Sequence, residues 1–413
     1  MRRLSAYPMY LISEGAFALF FSMIITVNMV YQVEIARLNP LQLVLVGTVL
    51  EATVFLCETP TGIVADIYSR RLSIIVGTVM MGLGFMLEGT VPRFETILLA
   101  QVIWGLGYTF TSGATQAWIT DEIGEDKAGR AFLRASQVGQ MGDLAGIGIS
   151  VLLAGIFLQL PIILGGLLVS VLGIFQMLFM PETGFKPAPR ENRNSWQQMG
   201  HTFRGGLQMM RRRPALITIF GTIAIYGAFS EGFDRLWTPH LLDNFTLPTL
   251  DGLQPVAWFG VIRAAGILLA VVATEVARRR LDTNNHRSVA RALFGINALI
   301  VAGVMAFGLA TSFVPAFLVL LAIIPLRRLT DPIQAAWVNQ RLEPSVRATV
   351  ISMSGQADAF GQIIGGPILG VIATLATIRV EMVAAALMLA PALLLYAWTM
   401  REREAEPALV TGD

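Results

Sequence analysis

Long apolar runs alternate with short polar breaks along the whole chain. The runs cover roughly residues 7–33, 41–66, 71–91, 95–120, 130–158, 160–181, 214–241, 255–277, 288–310, 313–340, 347–375 and 378–400. An α-helix needs about 20 apolar residues to cross the hydrocarbon of a bilayer. Each run therefore predicts one spanning helix, and the class predicted is an all-α integral membrane protein. Some breaks are sharp, as at Asn39-Pro40, Val91-Pro92 and Arg213-Pro214. The break at Gln159-Leu160-Pro161 is shallow. The first run follows Met1-Arg2-Arg3, is too long for a signal-peptide core, and has no small-residue cleavage site after it. It reads as the first spanning helix.

Composition agrees with the pattern. Of 413 residues, 54% are hydrophobic and 14% charged, and the mean hydropathy is +0.64. Soluble domains carry about 25% charged residues, so lipid is the solvent for most of this chain. A net charge of +2 implies no polyanionic partner, and hence no nucleic acid. The single Cys57 lies in an apolar run, so no disulfide forms within the chain. Basic residues settle the sidedness, because loops rich in Arg and Lys stay cytoplasmic. One set of loops holds Arg70, Arg71, Lys127, Arg130, Lys186, Arg190, Arg193, Arg204, Arg211, Arg212, Arg213, Arg278, Arg279, Arg280, Arg287, Arg341 and Arg347. The other set holds Arg37, Arg93 and Arg379. Both termini are also basic and are expected in the cytoplasm. The expected division is a six-helix bundle over 1–181, a cytoplasmic linker over 182–213, a second six-helix bundle over 214–400 and a tail over 401–413.

The two halves echo each other. Ala273-Thr274-Glu275-Val276-Ala277-Arg278-Arg279-Arg280-Leu281 aligns with Val64-Ala65-Asp66-Ile67-Tyr68-Ser69-Arg70-Arg71-Leu72. Ala117-Trp118 with Arg130-Ala131 is matched by Ala336-Trp337 with Arg347-Ala348. Parallel repeats of this kind occur in secondary transporters.

The turn Gly62-Ile63-Val64-Ala65-Asp66-Ile67-Tyr68-Ser69-Arg70-Arg71 resembles the helix 2–3 loop of the major facilitator superfamily, G-x-L-a-D-x-x-G-R-K. Val64, Ser69 and Arg71 replace its Leu, Gly and Lys. Gly62 is expected to allow close helix contact. With the Arg347-Ala348-Thr349 stretch, the whole chain resembles twelve-helix bacterial drug:proton antiporters of the tetracycline and macrolide efflux type. That resemblance implies a fold of two pseudo-symmetric six-helix bundles in the bacterial cytoplasmic (inner) membrane. It also implies a gating set of Gly62, Asp66, Arg70, Arg71, Asp121 and Arg347. In it Arg70 pairs with Asp121, and Asp66 faces the helix 11 start near Arg347. Two features depart from the family pattern: Gln101 stands where helix 4 carries an arginine, and helix 5 lacks the Gly-Pro antiporter signature.

Ionisable residues inside spans are costly and mark function. Glu51 and Glu58 lie seven apart on one helix face. Asp143 and Asp358 sit near mid-span at equivalent repeat positions, among glycines expected to serve packing. Glu231, Asp234 and Arg235 cluster on one helix, where Arg235 can pair with Glu231. Asp143, Asp358, Glu51, Glu58, Glu231 and Asp234 are the proton-coupling candidates. Glu14, Arg134, Arg235, Arg263, Trp104 and Tyr108 are the cavity candidates. Arg327 can pair locally with Asp331. Glu14 and Glu88 lie nearer helix ends, where a side chain can reach water. Phe110, Trp118 and Met141 suit an apolar pocket or simply a core.

No nucleotide-binding Gly-rich loop, nucleophile elbow or His/Cys metal motif is present in the sequence. The expectation is therefore no enzyme, no cofactor and no metal. The expected protein is a monomeric proton-coupled transporter exporting lipophilic small molecules by alternating access. Its alternatives are proton-symport uptake of an anionic solute, movement of a lysolipid-like amphiphile, or a non-transporting receptor or membrane enzyme.

Overall fold

The computed structural model describes residues 4–187, 214–249, 255–282, 285–340 and 344–401. Most of the expected linker and the tail beyond 401 lie outside them. The described residues form α1 (Ala6–Glu34), α2 (Pro40–Ile67), α3 (Arg70–Thr90), α4 (Phe94–Thr111), α5 (Ala114–Ile123), α6 (Glu125–Ala154) and α7 (Leu160–Phe179). There follow α8 (Pro214–Asn244), α9 (Ala257–Arg280), α10 (His286–Leu309), α11 (Phe313–Gln340), α12 (Pro344–Leu375) and α13 (Ile378–Arg401). With α4 and α5 taken as one span, 11 are long and apolar enough to cross a membrane. The twelfth is α6, whose 30 residues are diluted by Arg134, Gln137, Gln140 and Asp143. An all-helical, twelve-helix membrane architecture results.

Local chemistry explains several boundaries. Asn39 begins α2 with a capping box: its side chain accepts from Gln42 N–H at 2.9 Å, and its own N–H donates to the Gln42 side chain at 3.0 Å. Pro40 then supplies a preset helical φ. The shallow break before Pro161 is real, and α7 carries that proline in its first turn. The fourth run is not one continuous helix. Gly113 takes φ +71° and separates α4 from α5. That left-handed conformation is open to glycine at little cost.

The chain divides into two compact units, Met1–His201 with Asp234–Ala265 and Ala373–Leu375, and Thr202–Phe233 with Gly266–Ile372 and Ala376–Asp413. In the first, α1 packs on α6 and α7, α3 on α7 and α4, and α2 on α4. Glycine sets how closely α1 and α6 approach: a Cβ at Gly146 would lie 2.3 Å from the Leu19 carbonyl oxygen, and one at Gly142 2.5 Å from that of Gly15. In lipid, such dispersion contacts replace the hydrophobic effect as the force between helices. In the second unit, α10 packs on α11 and α13, and Trp337 meets Tyr396 at 5.6 Å between ring centroids.

Gly146→Val should therefore force α1 and α6 apart, costing about 1–3 kcal/mol from overpacking. Gly148 has nothing within 4 Å of its Cβ position among the described residues, so Gly148→Ala should be neutral or slightly stabilising. Thermal unfolding of the two variants in detergent checks the contrast.

Candidate functional site

The turn between α2 and α3 is tied into its own bundle. Arg70 forms a very short ion pair with Asp121 on α5 and a longer one, 3.7 Å, with Asp66. Its guanidinium also lies 5.9 Å from the Phe185 ring centroid. Ser69 is extended, with φ −175°, and its hydroxyl caps α3 by accepting from Leu72 N–H at 2.9 Å. The same hydroxyl donates to Glu182 at 2.7 Å, while Arg71 N–H donates to the other Glu182 oxygen at 2.9 Å. The Arg71 guanidinium reaches the Met177 carbonyl. Trp118 is buried and donates to the Pro181 carbonyl, so it belongs to the core rather than a pocket. Asp66 itself is 59% exposed, and the space beside Gly62 is open among the described residues. The close contact expected at Gly62 is not observed. The Arg347 side chain lies outside the described residues.

Deeper in the bundle, the structure overturns one expectation. Glu88 does not reach water: it is 0% exposed. It ends a buried stripe on α3 formed by Ile74, Thr78, Met81 and Phe85, so it faces inward by helical register. Gln32 donates to its Oε1 at 2.7 Å and Gln101 to its Oε2 at 3.0 Å. Asn28 stands beside it, and Arg235 on α8 is within electrostatic reach. The Tyr31 hydroxyl holds the Glu88 backbone carbonyl. The side-chain oxygens of Asn28 and Gln32 are buried with no donor among the described residues.

The cage continues toward the surface. Trp104 Nε1 donates to the Gln101 side-chain oxygen at 2.7 Å. Trp104 stacks on Phe85 at 5.3 Å and meets Tyr108 edge-on at 6.5 Å. Tyr108 is 44% exposed and lies within electrostatic reach of both Glu58 and Glu51. Ser112 contacts Glu58 weakly, at 3.4 Å. A polar and aromatic path thus runs from the exposed Glu58 to the fully buried Glu88. Near Glu58, α2 continues through Pro60, and Thr61 donates to the Cys57 carbonyl.

The remaining candidates are dispersed. Glu14 is half-buried on α1 beside Tyr10, and Asp143 is half-buried on α6. Arg134 is exposed and bonds Gln137 at 3.1 Å; Met141 is exposed as well. Asp234 is exposed, Arg235 and Arg263 are half-buried, and Glu231 is buried. In the second unit, Asp358 accepts from Gln362 at 2.8 Å, and its backbone sits close against Gly227 of α8. Arg327 lies over Phe229 and Phe233, 5.5 and 4.9 Å from their ring centroids. Glu381 is 0% exposed, and neither of its oxygens has a partner among the described residues. No group of three or more His, Cys, Asp and Glu side chains suited to a metal occurs among the described residues.

Residues 10–327 match the family described as the Major Facilitator Superfamily. The chain belongs to this superfamily. A relative from Bacillus subtilis (strain 168), named as the uncharacterized MFS-type transporter YxaM, is 26% identical over 368 residues, covering 86% of each chain. Among solved structures, the nucleoside transporter NupG superposes with a TM-score of 0.77 at 14% identity, covering 97% of this chain and 100% of that one. A bacterial homologue of the human lysosomal transporter Spinster gives 0.71 at 15% identity, covering 96% and 97%. The peptide transporter POT gives 0.74 at 14%, covering 95% and 93%. These structural likenesses carry the fold. The chain is thus a multi-pass membrane transporter of the superfamily.

Superfamily membership clarifies two departures. Ser69 replaces the motif glycine without strain, because extended backbone suits any residue, and the hydroxyl gains a helix cap. Gln101 replaces the helix 4 arginine and serves Glu88. Glu88 was expected at water and lies buried instead, and Glu182 was not singled out. The stripe running from Ile74 to Phe85 was the signal for the first. Ser69→Ala should lower stability by roughly 1–2 kcal/mol, through loss of the cap and of the bond to Glu182. Thermal unfolding checks this, with Ser69→Thr expected to restore most of the loss.

Proposed function

We propose that the protein is a proton-coupled exporter of lipophilic, cationic small molecules, working by alternating access. In this reading it sits in a bacterial inner membrane with both termini cytoplasmic. The two six-helix halves are the moving parts, and the turn held by Arg70 and Asp121 is part of the cytoplasmic gate. The observation that carries the reading is the amide cage around Glu88. A charged carboxylate away from water needs donors, and a neutral one needs an acceptor. Gln32 and Gln101 supply the donors. The Gln32 oxygen has no donor among the described residues, so a half-turn of that carboxamide lets the same cage accept from the acid form. Glu88 can therefore hold or release a proton without rebuilding its surroundings.

Cargo would meet the exposed end of the path. Glu51 and Glu58 offer negative charge, and Tyr108 and Trp104 offer aromatic faces for an organic cation. A cation drawn to this face would act on Glu88 through Trp104 and Gln101. Arg134 favours a second reading, uptake of an anionic solute, because it is exposed and donates to the neutral Gln137. Asp143, Asp358, Glu231, Asp234, Glu14, Arg235 and Arg263 stay candidate contributors to either cycle.

In proteoliposomes with an imposed pH gradient, the protein should drive a lipophilic cation against its concentration. Glu88→Gln should abolish gradient-driven accumulation yet keep downhill exchange. Accumulation by Glu88→Gln equal to that of the unmodified protein would remove Glu88 from the coupling step. A gradient response to anionic probes alone, lost in Arg134→Gln, would favour the second reading.

A further inference from the structure

A pocket of about 670 Å³ opens at one end of the first bundle, lined by Leu4, Ser5, Ala6, Tyr7, Glu122, Ile123, Lys127, Arg130, Ala131, Pro181 and Thr183. Its position is defined by helix ends. Ser5 immediately precedes α1, Glu122 and Ile123 close α5, Lys127 and Arg130 lie in the first turns of α6, and Pro181 follows α7. Spanning helices end at the depth of lipid headgroups. The walls divide by chemistry. Leu4, Ala6, Tyr7, Ile123, Ala131 and Pro181 form an apolar side, and Lys127 and Arg130 provide positive charge.

The one carboxylate in the wall is already engaged. Glu122 accepts from the Thr183 N–H, from the Thr183 hydroxyl at 2.7 Å and from the Gly184 N–H at 2.7 Å. Lys127 and Arg130 are exposed, and neither has an ion pair among the described residues. Glu125 and Asp126 share their helix turn but do not line the pocket.

We propose that this pocket binds the phosphate headgroup of an anionic glycerophospholipid of the surrounding bilayer. Lys127 and Arg130 hold the phosphate, and the apolar wall takes the glycerol and upper acyl chain. Basic pockets at the ends of spanning helices suit such headgroups. The site adjoins the Thr183–Gly184 strap, and a Cβ at Gly184 would lie 2.2 Å from the backbone oxygen of Asp121, the partner of Arg70. Headgroup occupancy would thus brace the turn that carries the gating residues. The lipid site does not depend on proton coupling.

Native mass spectrometry of the full-length protein, with phosphatidylglycerol and phosphatidylcholine at equal concentration, tests it. Phosphatidylglycerol should be retained preferentially, and K127Q/R130Q should lose about tenfold of that preference. The two side chains are exposed, so the double variant should unfold at the same temperature as the unmodified protein without added lipid. Should it not, Arg130→Lys and Arg130→Gln separate charge from folding: the former should keep phosphatidylglycerol and the latter should weaken it. Equal retention of both lipids, or equal retention of phosphatidylglycerol by all variants, overturns the site. Thermal stabilisation by inorganic phosphate alone, lost in the double variant, would assign the pocket to a soluble phosphate and overturn the lipid source.

Discussion

Hydrocarbon offers no hydrogen bonds, so a carboxylate enclosed in a membrane bundle depends wholly on the protein for partners. Glu88 is the clearest case in this chain. Its donors are carboxamides, which are neutral and can reverse. An arginine at position 101, as the superfamily pattern has it, would bring a permanent charge and two directed donors to the same spot, fixing the carboxylate in its ionised form. Gln101 satisfies the oxygen without fixing its charge. The departure from the pattern therefore changes the chemistry of the cage, and it passes the cage's geometry on to Trp104 through the second end of the same amide.

The turn after α2 works on another principle. Arg70 is divided between Asp66, four residues back on the chain, and Asp121, on a separate helix. The first contact ties the end of α2 to the start of α3, and the second joins α3 to α5. The repeated turn in the other half shows the contrast: Glu275 takes bidentate bonds from Arg278 at 2.8 Å and another from Arg279, all within one helix end. Exposed pairs at that spacing are screened by water and add little to stability. Sequence echoes between the halves thus conceal a difference in what the charges hold. The first turn braces a bundle, and the second stabilises its own helix end.

Helix number and class were legible because hydropathy reports the solvent directly, residue by residue. The gap between α4 and α5 was not, because one glycine at positive φ breaks a helix without interrupting apolar character. The role of Ser69 was not legible either, because the motif says nothing of the capping role a hydroxyl takes there. Glu88 was misjudged from its distance to the helix end. Axial position suggested water, whereas register, the spacing of Ile74, Thr78, Met81 and Phe85, fixed the direction of the side chain. In a bundle, register outranks depth: Tyr31 and Gln32 from α1 close over that end of α3, so nearness to the terminus brings no exposure. Glu182 carried no pattern at all, since its role exists only once Ser69 and Arg71 are brought to it from more than a hundred residues away.

A charge in a membrane span is thus a weak guide until its partners are known. Asp143 and Asp358 were chosen for their mid-span position and Glu51 for the face it shares with Glu58, and each is half-buried. Among the described residues, the carboxylates with the least exposure, Glu88 and Glu381, sit within a turn of a helix end. For Glu88 there is a physical reason for that placement. Helix ends are where neighbouring chains turn and where irregular backbone and polar side chains are most readily gathered around a buried group, as Tyr31, Gln32 and Gln101 are around Glu88. Gly142 and Gly146 pack against α1, and an interface that tight leaves no room for a cage of amides. Tight glycine packing and the caging of a buried polar group compete for the same limited space between helices.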